Sequence, residues 1–136
     1  MATNAVFKTG QNISLPVPTG TTSGSPLRIG NLNAIAITDE GSVTVTKNLG
    51  GGIQVTEPSG GVGNQAGYAS VACDGAWNVP VASTGSVAVG DLIYITSANA
   101  LNNTATGNKI WGVALQARTA TSGNLIVRIA THTAGQ

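Results

Sequence analysis

Turn residues recur so often in this chain that no apolar segment has room to become a helix of ordinary length. Gly, Pro, Asn and Ser interrupt it at "DEG" (39–41), "GGG" (50–52), "EPSGG" (57–61), "DG" (74–75), "STG" (83–85), "TGN" (106–108) and "SGN" (122–124). Apolar residues do not recur at three and four over any helical window, and Gly, Pro, Thr and Val disfavour helix throughout. The spacing predicts short strands instead, at Ile13–Leu15, Leu27–Ile29, Ala34–Thr38, Ser42–Thr46, Ile53–Thr56, Tyr68–Cys73, Trp77–Val81, Asp91–Thr96, Lys109–Ala117 and Leu125–Ala130. Strands this short at this spacing give an all-β fold, a compact β-barrel or β-sandwich.

Alternation assigns faces within the strands. In "LIVRI", Leu125, Val127 and Ile129 share one side, and Ile126 and Arg128 the other. In "IWGVALQA", the same rule puts Trp111, Val113 and Leu115 together. Ile110, Gly112, Ala114 and Gln116 then form a face small enough for another backbone to approach.

The ends read differently from the middle. Residues 1–26 include "LPVPTGTTSGSP", a composition suited to an extended N-terminal arm or loop. Residues 27–131 form a single β domain, with the glycine-rich "NLGGGIQVTEPSGGVGNQAG" expected as a long, mobile pair of loops. Residues 132–136 form a tail.

Charge narrows the function. Six Lys or Arg oppose five Asp or Glu, and charged residues make up 8% of the chain, where roughly 25% is usual. A nucleic-acid binder concentrates its cations to displace counterions, whereas Lys8, Arg28, Lys47, Lys109, Arg118 and Arg128 are scattered. No nucleic-acid partner is expected. The start lacks a signal-peptide pattern, and no apolar run approaches the roughly 18 residues of a membrane span. The expectation is a protein made in a cytoplasm, with no membrane partner.

Catalytic and metal-binding patterns are missing from the sequence. His132 is the only histidine and stands beyond the last strand, where a base has no fixed geometry. Cys73 has no second Cys or His at ligand spacing and reads as a buried structural thiol. Asp39 and Glu40 are adjacent, so an extended chain points them apart, and a turn role suits them better. The glycine-rich centre carries no lysine placed as a phosphate loop requires. No enzyme, cofactor or metal is expected. Among the aromatics, Trp77, Tyr94 and Trp111 lie in strands and are expected to pack within or between subunits.

Several stretches resemble a known family. "ATNAVFKTGQNISLPVP" and "SGSPLRIG" are similar to the N-terminal part, and "CDGAWNVPVA", "VAVGDLIYIT", "GNKIWGVAL" and "NLIVRI" to the closing pattern, of the DUF2190-type family of tailed-phage capsid decoration, or cement, proteins. The resemblance implies a β-rich virion protein that attaches to the outside of a phage head. It implies a homotrimer at local three-fold positions that stabilises the head, with the major capsid protein as partner. With the arm's composition, it points to Val6, Phe7, Ile13, Leu15 and Val17 as capsid-binding residues. A phage tail or fibre subunit and a carbohydrate-binding β-module remain alternatives.

Overall fold

The computed structural model describes residues 12–59 and 64–130. Eleven strands appear in the order β1 (Ile13–Pro16), β2 (Pro26–Ile29), β3 (Leu32–Ala36), β4 (Ser42–Asn48), β5 (Gln54–Ser59), β6 (Tyr68–Ala72), β7 (Ala76–Ala82), β8 (Leu92–Ile95), β9 (Leu101–Asn102), β10 (Lys109–Ala114) and β11 (Ser122–Ile129), with no helix among the described residues. The all-β expectation holds. Each of the ten expected strands overlaps an observed one, and β9 is the additional strand.

Strands β10, β11, β7, β9 and β8 form a closed barrel. Its ladders are antiparallel except for β7–β9, a parallel pair of Val81 with Leu101 and Ala82 with Asn102. Strands β1, β6, β3 and β2 form a second, antiparallel sheet in that order. Alternation fills the barrel: Leu125, Val127 and Ile129 of β11, Val79 and Val81 of β7, and Ile93 and Ile95 of β8 all point inward and are buried. Ile35 and Ala72 of the second sheet join the same cluster, so the sheet and barrel share one core. A smaller cluster, with Leu27, Ala34, Ala36 and Val71, includes the other face of that sheet.

Buried polar groups lace the junction between the two. The indole N–H of Trp111 donates to the carbonyl oxygens of Leu27 and Ala34, at 3.1 and 3.3 Å. The side-chain amide of Asn33, fully buried on β3, donates to the carbonyls of Ile110 and Ala130, both at 3.0 Å. Arg28 donates to the Asn33 side-chain oxygen at 3.1 Å, so that amide is satisfied on both sides. A buried polar group stabilises only when it is bonded in this way.

Within the glycine-rich centre the strand expected at Ile53–Thr56 appears as β5, preceded by a tight turn, while residues 60–63 lie outside the described residues. Strands β4 and β5 form a hairpin of their own. Gly50, Gly51 and Gly52 take φ values of 85°, 62° and 79°, a region that L-residues with side chains rarely adopt. The three glycines make the turn, and the chain after them is left free to pair back on β4. At the hairpin base Gly41 bridges Ala66. A Cβ there would lie 2.5 Å from the Gln65 carbonyl oxygen, so the close approach requires glycine.

The second sheet's two edge strands each hold a proline. The amide of Val17 donates to Gly67, following the β1–β6 ladder, so the alternate position, Pro16, faces away from β6. On β2 the amide of Arg28 donates outward to the Asn99 side chain at 3.2 Å, and Pro26, two residues earlier, faces the same way without an N–H.

Candidate interaction surface

A β-bulge decides which side chains reach the surface of the barrel. Between β10 and β8, Ile110 pairs with Tyr94 and Gly112 with Ile93, leaving Trp111 as the extra residue. One inserted residue reverses the phase of alternation beyond it. Trp111 is therefore fully buried and Ala114 points inward with it, while Val113 and Leu115 turn outward. The expectation that Trp111, Val113 and Leu115 share a face is corrected by this bulge. The expected close approach at Gly112 is observed: a Cβ there would stand 2.8 Å from a methyl of Val127 and closer still to the Arg128 carbonyl oxygen.

The result is an apolar outer face. One cross-strand row runs Leu92, Val113, Arg128 and Ala76 over β8, β10, β11 and β7. Beside it Leu115 donates its amide to the Ile126 carbonyl at 2.8 Å, and Ile126 pairs with Asn78. Leu92, Leu115 and Ile126 are 41%, 46% and 41% exposed, and Val89, in the loop before β8, is 65% exposed. Lone exposed apolar residues are ordinary; several on one sheet face are a mark of interaction surfaces. A second, smaller exposure lies at the tip of the β4–β5 hairpin, where Leu49 and Ile53 flank the glycine turn.

Among the described residues, several charged groups are bound within the chain and others are left outward. Asp39 accepts from the Ser23 amide at 2.8 Å, Glu40 from the Gly20 amide at 2.6 Å, and Asp91 from the Ala88 amide at 2.8 Å. Asp39 and Glu40 therefore tie the loop between β1 and β2 to the chain after β3 instead of making the local turn expected of them. Arg118 is engaged entirely with its own chain, donating to the carbonyls of Ala120, Gly123 and Val81 and to the Ser83 hydroxyl. Arg128 and Lys109, by contrast, are exposed. Cys73 is buried, as expected, and burial, aided by the negative charge of Asp74, pushes its thiol above the ordinary value. Among the described residues no group of three or more His, Cys, Asp or Glu is placed to hold a metal, and no helix is long and apolar enough to cross a membrane.

The sequence-derived positions fall in several places. Ile13, Leu15 and Val17 lie on and just after β1 and are half-buried, with Leu15 and Val17 packed against the smaller core. Trp111 belongs to the main core, and Trp77 packs against it while donating to the Asp74 carbonyl at 2.9 Å. Tyr94 is half-buried on the outer barrel face, opposite Ile110. Val6, Phe7 and His132 lie outside the described residues. Leu92, Leu115 and Val89 were not singled out from the sequence. Ile126 and Arg128 had been placed opposite the core by alternation, which was the available signal.

A family model described as phage cement protein matches residues 7–129. No curated protein and no solved structure matches the chain.

Proposed function

Because the chain belongs to the phage cement protein family, we propose that it binds the outer surface of a phage head as a trimer at local three-fold positions, where it ties neighbouring major capsid proteins together. Its role as a capsid decoration protein, a structural part of the virion, rests on the family match over residues 7–129, and that match carries the reading. In this reading the protein works by shape and contact and performs no catalysis. The N-terminal segment, residues 1–26, with Val6 and Phe7 at its apolar start, contributes to the contact with the shell.

The physical logic of such a role suits this architecture. A closed barrel sharing its core with a second sheet presents its faces in fixed positions, so little order is lost on docking. Three copies held together engage three shell sites at once, and modest contacts gain through effective concentration. Contacts made only with the assembled shell stabilise that shell by mass action.

The test is to image virions of the phage that encodes this chain and to heat particles with and without the protein. Density at the three-fold positions and a higher bursting temperature for decorated heads are expected. Particles that lack the protein at the head, or that burst at the same temperature without it, would remove the reading.

A further inference from the structure

Resting on the trimer of the cement reading, we propose that Leu49 and Ile53, at the tip of the β4–β5 hairpin, seat in an apolar groove of a second copy of this chain. The groove lies where β2 meets the barrel, and the copies join head to tail around the three-fold axis.

The tip is one apolar projection. Strands β4 and β5 form a sheet of two, apart from the barrel and the second sheet. Leu49 donates its amide to the Ile53 carbonyl at 2.9 Å, so the two residues stand opposite each other across the turn. Residues opposite on an antiparallel pair send their side chains to the same face. Both are aliphatic, and they are 65% and 60% exposed. A hairpin without a third strand is marginal in water, and packing its tip stabilises it.

The groove has a volume of about 330 Å³. Buried Pro26, Val81 and Leu101 floor it, and exposed Pro80, Ala82 and Ala100 stand at its rim. No ionisable side chain lines it, unlike the hollows that hold Arg118 or Arg28 and Lys109. A concave site of that chemistry takes branched aliphatic groups and offers little to a charged ligand.

A second copy covers both features at once, whereas a shell protein seated on either would leave the other uncovered. Neither the tip nor the groove lining carries a charge, and a net charge of +1 sets little repulsion between copies. Tip and groove are separate patches, so each copy inserts one tip and receives one. Around a three-fold axis that arrangement closes as a ring with three equal contacts.

The experiment measures the mass of the free, full-length protein by sedimentation velocity over a dilution series. It compares wild type with a tip variant, Leu49→Ser with Ile53→Ser, and a groove variant, Ala100→Trp. All three positions are exposed, so thermal unfolding is expected to match wild type, and Ile53→Ser alone and Ala82→Lys serve if it does not. Wild type is expected as a trimer, and each variant to associate at least about tenfold more weakly. Mixing the two variants should give a species of two chains, because the groove variant's tip still fits the tip variant's groove. Wild type found as one or two chains overturns the ring. Variants that trimerise as wild type does, or a mixture that stays single chains, overturn the contact and leave the cement reading standing. Dissociation by Leu115→Lys with the tip variant still trimeric assigns the contact to the outer barrel face and overturns it too. Cosedimentation with DNA-free heads of the same phage is read in parallel. A tip variant that stays trimeric but loses the heads assigns the tip to the shell. A wild-type trimer that fails to cosediment removes the cement reading and not the contact.

Discussion

The indole N–H of Trp111 donates a 3.1 Å hydrogen bond to the carbonyl oxygen of Leu27, joining the barrel to the second sheet across 84 residues of chain. The same indole fills the shared core, so one side chain contributes both packing and a satisfied polar contact. Trp111→Phe keeps an aromatic ring but removes the donor and part of the volume. Unfolding in urea should show a loss of about 2–4 kcal/mol, with the slope of the transition unchanged.

Gly112 lies against the Arg128 carbonyl on the neighbouring strand, with no space for a side chain. Gly112→Ala should force the β10–β11 ladder apart and cost about 1–3 kcal/mol. Gly20 is the control. It has a positive φ but open space around it, and Gly20→Ala should cost about 1 kcal/mol. Equal midpoint shifts for the two variants would show that close approach is not what Gly112 provides.

Arg118 holds the 118–123 segment to the end of β7 through the Val81 carbonyl, 2.7 Å away, and the Ser83 hydroxyl, 3.0 Å away. These bonds use the fork of a guanidinium, and an ammonium cannot reach the same partners together. Arg118→Lys should therefore destabilise almost as much as Arg118→Met, by about 1–3 kcal/mol. Thermal melts of the two variants check this, and full rescue by lysine would mean that charge alone matters.

The thiol of Cys73 is held above its ordinary value by burial and by Asp74. The folded state therefore favours the protonated form more than the unfolded chain does. That contribution is complete below the thiol's unfolded value and is lost as pH rises through the folded one. Native protein should react slowly with a thiol reagent at pH 8 and rapidly in denaturant. Stability should fall above about pH 9, and Cys73→Ser should flatten that decline in a pH series of urea midpoints.

Much of this fold was legible because turn residues divide the chain so cleanly. Gly, Asn and Asp set the strand ends, and alternation correctly turned Leu125, Val127 and Ile129 inward. Two local features escaped. Strand β9 is two residues long, too short for any period to register, yet it closes the barrel between β7 and β8. The bulge at Trp111 is invisible in "IWGVALQA" because nothing in those letters says where an extra residue will sit. That single insertion placed Leu115 on the wrong side and concealed the outer face to which it belongs. At the glycine-rich centre both strands were legible but the turn between them was not: glycine permits both a loose loop and a tight turn, and only pairing with β4 decides between them.

The outward-facing prolines of β1 and β2 bear on a hazard that this composition creates. A chain with a net charge of +1 has little electrostatic repulsion to keep its copies apart. Flat unprotected strand margins in such a protein invite cross-β stacking when molecules crowd. Pro16 and Pro26 each remove one donor from the outer margins of β1 and β2, which works against such stacking at the edges of this sheet.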